Sequence, residues 1–100
     1  MRSVTVGRNR YRVRVVQDAQ RHAARKDDEL AHHGELRGYI DWKNREIIVE
    51  RGEPEMMAST LLHELLHEIF PFLDDDAITL AEAKLAPVVW RYGFRPFGDA

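Results

Sequence analysis

The sequence contains no cysteine, and this absence excludes several kinds of chemistry at once. Disulfide bonds, cysteine zinc sites, iron–sulfur clusters and thiol catalysis all require that residue. The chain also lacks an apolar run near the roughly 18 residues that a membrane helix needs, and its first residues lack the apolar core of a secretory signal. We therefore expect a cytoplasmic protein that does not act in a membrane.

Composition and length favour one small folded domain that spans residues 1–100. Hydrophobic residues make up 44% of the chain and the net charge is only −2, whereas disordered chains are poor in apolar residues and high in net charge. A chain of this length builds a modest core, so a bound metal ion would add substantially to its stability.

Positive charge is concentrated near the N-terminus, where five arginines precede the first acidic residue. Residues 11–15 alternate apolar and charged side chains, which predicts a β-hairpin over residues 3–16 with Arg10, Arg12 and Arg14 on its outer face. A basic ribbon of this kind can contact the phosphates of a nucleic acid. The same alternation is typical of a solvated strand face, so nucleic-acid binding is the alternative function and not the expected one.

The remaining patterns predict an α+β fold, with a small, twisted, mostly antiparallel sheet followed by two antiparallel helices. The further predicted elements, in chain order, are a polar helix or a long loop over residues 17–33, a hairpin of strands over 36–42 and 46–50, a helix over 53–70 and a last helix over 75–92. Pro87 lies inside the last helix and is expected to kink it.

The motif that carries chemistry lies on the first of the two long helices, where residues 63–67 read HELLH. Positions four apart lie on the same face of a helix, so the imidazoles of His63 and His67 can point at one Zn²⁺ ion. Glu64 is about 100° round the helix from His63 and can reach a metal-bound water without being a ligand. A metal lowers the pKa of such a water to roughly 7, and Glu64 then takes its proton as general base. The helix is apolar on nearly every side, which predicts a central position for it.

A third metal ligand is expected, because catalytic zinc sites usually have three ligands from the protein. No histidine or cysteine follows His67, so a ligand after the motif must be a carboxylate. Asp75 and Asp76 are alternatives that capping of the last helix would also explain. The full set of candidates is Asp74, Asp75, Asp76, Glu82 and Asp99.

The antiparallel arrangement of the two helices favours Glu82 among these carboxylates. A connection of only a few residues joins the helices, so His63 and His67 should face residues 77–81, and Glu82 lies within one turn of that zone. Glu82 also lies on the apolar stripe of the last helix, which is predicted to face inward. An acidic residue in such a position needs a partner. The apolar members of this stripe are Ile78, Ala81, Leu85, Val88 and Val89.

With its flanking elements, the motif resembles the active-site segment of small zincin metallopeptidases of the gluzincin type, in particular the minigluzincins and the phage-associated ImmA/IrrE-like metallopeptidases. The resembling stretch covers residues 39–89, from the second hairpin to the helix that carries Glu82. The resemblance implies a small twisted sheet packed on the HExxH helix, a following glutamate helix and zinc-dependent cleavage of peptide bonds. It also implies that strand 38–42 is the sheet edge beside the cleft, to which an extended peptide substrate could add.

The expected function is therefore hydrolysis of peptide bonds by a zinc endopeptidase, with Glu64 as general base and His63, His67 and Glu82 as metal ligands. Its expected partner is a peptide or protein substrate, which could be one dedicated protein. The alternative is a regulatory or nucleic-acid-binding zinc domain without turnover, which uses the basic N-terminal hairpin. The candidates for steadying the oxyanion of the intermediate, which the sequence does not rank, are Tyr39, Tyr92, His32 and His33.

Overall fold

The structure, a computed structural model, describes residues 3–26 and 37–99, with the side chains of residues 24–26 excepted. Its contacts divide the described chain into two compact units, a sheet unit over residues 3–51 and a helical unit over residues 52–99, and each is described by itself. The elements are β1 (Ser3–Val6), β2 (Asn9–Val16), α1 (Ala19–Lys26), β3 (Gly38–Asp41), β4 (Glu46–Glu50), α2 (Pro54–Ile69) and α3 (Asp75–Arg91). Within the described ranges, no helix combines the length and the apolar character that crossing a bilayer demands.

The sheet unit holds a four-stranded mixed sheet with the strand order β1-β2-β4-β3. Strands β1 and β2 are antiparallel, as are β3 and β4, which confirms both predicted hairpins. Strand β2 runs parallel to its neighbour β4, with Arg12 opposite Glu46 and Val16 opposite Glu50. The α+β class is confirmed, and two of the three strand pairings are antiparallel.

The parallel pairing of β2 with β4 brings two turns to the same end of the sheet. The turn at Gly7 and Arg8 leads into the start of β2, and the turn over residues 42–45 leads into the start of β4. Gly7 and Arg45 both have positive φ angles, 61° and 54°, which allow the chain to reverse tightly at these points. We call this the turn end of the sheet.

Strand β3 lies at an edge of the sheet, where among the described residues it pairs with β4 alone. The expectation that residues 38–42 form an edge strand is confirmed for Gly38–Asp41, whereas Trp42 belongs to the following turn. An edge strand presents backbone groups on one side to which another extended chain can add.

One face of the sheet is covered by α1, the short helix within the region that the sequence left open as helix or loop. Ala19 and Ala23 are fully buried against Tyr39 and Ile48, because their small side chains let the helix approach the strands closely. Asp18 caps the helix by accepting a hydrogen bond from the backbone N–H of Arg21 at 3.0 Å. The predicted region also includes residues 27–33, which lie outside the described chain.

The helical unit is an antiparallel hairpin of α2 and α3 joined by residues 70–74. Pro54 occupies the start of α2, where its missing N–H costs no helical hydrogen bond. The antiparallel order follows from the side-chain contacts, which pair Ser59 with Glu82 near one end and His67 with Asp75 near the other.

The apolar stripe predicted along α3 is only partly buried, which corrects that expectation. Ile78 is fully buried, but Leu85 is 39% and Val88 is 50% exposed. The contact between Ser59 and Glu82 places both exposed residues beside the first turns of α2, where little of that helix remains to cover them. The helix also continues through Pro87 to Arg91.

Candidate metal centre

Three potential ligand atoms converge between α2 and α3. The Nε2 atoms of His63 and His67, on successive turns of α2, are 3.1 Å apart. The Oδ1 atom of Asp75, the first residue of α3, is 3.2 Å from Nε2 of His63 and 3.0 Å from Nε2 of His67. The three atoms therefore form a nearly equilateral triangle at the junction of the two helices.

This triangle fits a tetrahedral Zn²⁺ ion. Ligands about 2.05 Å from zinc in a tetrahedron lie about 3.3 Å from one another, close to the separations between these three atoms. Two histidines and one carboxylate form a donor set that catalytic zinc sites use, with the fourth position left to water or substrate. Among the described residues, His63, His67 and Asp75 form the group whose ligand atoms come together in this way.

Glu82 contacts His63 as expected, but on the other nitrogen of the ring. Its Oε1 atom is 2.8 Å from Nδ1 of His63, while its Oε2 atom accepts a hydrogen bond from the hydroxyl of Ser59. With Nδ1 donating its hydrogen to Glu82, the lone pair of His63 lies on Nε2, the atom in the triangle. The predicted ligand thus lies behind His63, in the position of a carboxylate that orients a metal-binding histidine.

Asp75 is placed in the triangle because another residue caps α3. Asp74, one of the three aspartates that could cap this helix by sequence, accepts a hydrogen bond from the backbone N–H of Ala77 at 2.8 Å. Asp75 therefore begins the helix and turns its carboxylate toward α2. Asp76 is exposed on the next position, and Asp99 forms an ion pair with Arg95 at 3.4 Å.

The electrostatics of the cluster favour positive charge at His63. Burial favours the neutral imidazole, but the hydrogen bond to Glu82, the charge of Glu64 and the hydrogen bond to Asp75 outweigh it, so the pKa of His63 lies above its usual value. Burial also raises the pKa of Asp75, yet its hydrogen bonds with His67 and His63 bring that pKa below the ordinary range. Carboxylates that stabilise a proton in this way also stabilise a bound cation.

Glu64 is a buried carboxyl beside the cluster, with only 8% of its surface exposed. Burial raises its pKa to about 7, an increase that the charge of His63 opposes and those of Asp75 and Glu82 support. A cation held by the triangle would lower this pKa and so favour the carboxylate that a general base requires.

Two of the four candidates for steadying an oxyanion, Tyr39 and Tyr92, lie among the described residues. Tyr39 is buried in the sheet unit, where its hydroxyl is 2.5 Å from Nδ1 of His22, and burial raises its pKa to about 12. Tyr92 follows α3 and is 84% exposed. His32 and His33 lie outside the described residues.

Sequence reasoning missed the role of one residue of this site, Ser59, and left the role of another, Asp74, open. Ser59 holds the second oxygen of Glu82, and its position four residues before His63 on the same helix face was an available signal. Asp74 acts only by capping, and three consecutive aspartates gave no means of choosing among them.

Comparison of the chain with protein-family models, with curated proteins and with solved structures finds no match.

Proposed function

We propose that this protein is a zinc-dependent metallopeptidase whose metal ligands are His63, His67 and Asp75. The single observation that carries the proposal is the convergence of their three ligand atoms to within 3.0–3.2 Å of one another. This replaces Glu82, the ligand that the sequence favoured, by Asp75. Glu82 keeps a role as the residue that fixes the orientation and the tautomer of His63.

In the proposed hydrolysis, the bound metal ion and Glu64 have separate roles. A bound Zn²⁺ supplies Lewis acidity, which activates water near neutral pH and polarises a carbonyl group. Glu64 accepts a proton from the attacking water and delivers it to the amine that leaves when the peptide bond breaks. Its burial keeps the carboxylate out of bulk water, which strengthens its interactions with the reacting groups.

A catalytic role is favoured over a purely structural one by the ligand count and by Glu64. Structural zinc sites usually have four protein ligands, whereas the triangle offers three and leaves a position for water. A buried glutamate with a raised pKa beside a metal site is costly to stability and serves no purpose in a structural centre.

The resemblance to small gluzincin-type zincins extends the proposal to substrate and architecture. In such an arrangement the sheet packs on the HExxH helix, and an extended peptide adds to the edge strand and is cut within its length. The edge position of β3 supports this mode of binding, because its outer side is not paired with a described strand.

Cleavage of a peptide library tests the proposal. The purified protein, loaded with one equivalent of zinc, is incubated with a mixture of unstructured peptides, and new termini are detected by mass spectrometry. We expect internal cleavages that disappear when a chelator removes the metal and return when zinc is restored. Cleavage that continues at the same rate after verified removal of the metal would contradict a zinc-dependent mechanism.

A further inference from the structure

The turn end of the sheet gathers basic residues that are far apart in the sequence. The first turn carries Arg8 and leads into Arg10, and the second carries Lys43 and Arg45. All four side chains belong to exposed residues. The parallel pairing of β2 with β4 is the reason that two separate turns add their charges at one place.

Residues of β1, β2 and the second turn line a groove of about 590 Å³ in which three of the six lining residues are arginines. Arg45 is anchored there, because its backbone oxygen accepts a hydrogen bond from the N–H of Arg12 at 2.8 Å and its guanidinium lies 5.7 Å from the centre of the Tyr11 ring. Arg10 is positioned by its hydrogen bond to the hydroxyl of Ser3 at 3.2 Å. The lining residues are Ser3, Arg10, Arg12, Val13, Asn44 and Arg45.

Few acidic groups offset this charge. Glu46 has a buried side chain that is 3.4 Å from the guanidinium of Arg14 and 3.9 Å from that of Arg12. Asp41 accepts hydrogen bonds from the backbone and the side chain of Asn44, at 3.1 and 2.9 Å. The side chain of Arg12 is nevertheless 73% exposed, so the groove retains an excess of accessible positive charge.

An exposed aromatic side chain accompanies the arginines. Trp42 opens the second turn and is 59% exposed, an unusual position for the largest apolar side chain. Proteins that bind single-stranded nucleic acid combine a basic groove that follows the phosphates with aromatic rings on which bases stack. The turn end carries both features, because Trp42 belongs to the same turn as Asn44 and Arg45, which line the groove.

We propose that the turn end of the sheet binds single-stranded nucleic acid. Phosphate groups contact Arg10, Arg12 and Arg45 along the groove, and a base stacks on Trp42. The charge of the groove complements the phosphate backbone, and the aromatic ring distinguishes this ligand from an acidic protein segment, which has no bases to stack. The site lies within the sheet unit and does not depend on the metal centre of the helical unit.

Fluorescence anisotropy with a labelled oligothymidine of about 20 nucleotides tests the charged part of the site. The variant Arg10→Gln/Arg12→Gln removes two groove arginines but leaves Glu46 its closer partner, Arg14. The matched control Lys84→Gln/Arg91→Gln makes the same change in net charge on exposed positions of α3. We expect the groove variant to bind at least about tenfold more weakly and to reduce the salt slope by about 1.4, while the control binds like the unchanged protein.

Tryptophan fluorescence tests the stacking part without altering the groove. The chain has two tryptophans, so a Trp90→Phe variant leaves Trp42 as the only source of tryptophan emission. Stacking of thymine on the indole should quench this emission as oligothymidine is added, and polyglutamate of equal charge should not. Equal binding by the groove and control variants, an unquenched Trp42 at saturation, or equally tight binding of polyglutamate would each overturn the proposal.

Discussion

The Glu64→Gln variant should bind zinc as the unchanged protein does and hydrolyse peptides at least about 100-fold more slowly. Glutamine preserves the shape of the side chain, but its amide cannot accept the proton of the attacking water, and general acid–base catalysis commonly contributes about 10²–10⁴-fold. Removing a buried carboxyl whose pKa is raised to about 7 should not weaken folding, because an uncharged amide is easier to bury.

The matched control for this prediction is Glu68→Gln, which makes the same change one turn later on α2. The rate of peptide cleavage and the zinc content are measured for both variants on the same preparations. Activity in Glu64→Gln near that of the control would show that Glu64 is not the general base. Loss of zinc from Glu64→Gln would show that its carboxylate is a ligand.

Removal of zinc should lower the thermal stability of the protein by at least about 10 °C. Ligands that bind only the folded state stabilise it by about 4 kcal/mol at a thousandfold excess over the dissociation constant, and 1 kcal/mol corresponds to roughly 4–8 °C in a domain of this size. The effect should be strong here because a zinc ion bound by both His67 and Asp75 would join α2 to α3.

Melting followed by circular dichroism, with zinc and with a chelator, measures this difference. The His63→Ala variant lacks one ligand, so its melting temperature should not respond to zinc. Equal melting temperatures of the zinc-loaded and chelated protein would contradict a metal that joins the two helices. A zinc-dependent increase that persists in His63→Ala would place the stabilising metal elsewhere.

Local patterns were sufficient to predict most elements of the fold. The alternation in residues 11–15 and the β-branched run in residues 46–50 predict strands because a pleated surface places neighbours on opposite faces. The parallel pairing of β2 with β4 joins residues more than 30 positions apart, and no local pattern specifies it. The sequence predicted the basic face of the first hairpin, but it could not predict that Lys43 and Arg45 of the second turn lie at the same end of the sheet.

Helical periodicity and the antiparallel order of the two helices were sufficient to predict part of the candidate metal centre. The spacing of His63 and His67 places them on one face, and counting outward from the connection correctly brings Glu82 to His63. The choice between Glu82 and Asp75 depended on where α3 begins. A shift of the cap by one residue, to Asp74, decides whether the carboxylate of Asp75 points at α2 or back at its own helix.

The most direct test of the account is a zinc-affinity titration of variants at the acidic residues of α3. Asp75→Ala removes a proposed ligand, Glu82→Gln weakens the support of His63, and Asp76→Ala is the matched control, an adjacent acidic residue in the same first turn. We predict one zinc per chain for the unchanged protein and for Asp76→Ala, a 10–100-fold weaker affinity for Glu82→Gln, and a larger loss for Asp75→Ala. Absence of zinc binding by the unchanged protein, or unaltered affinity in Asp75→Ala, would contradict the site.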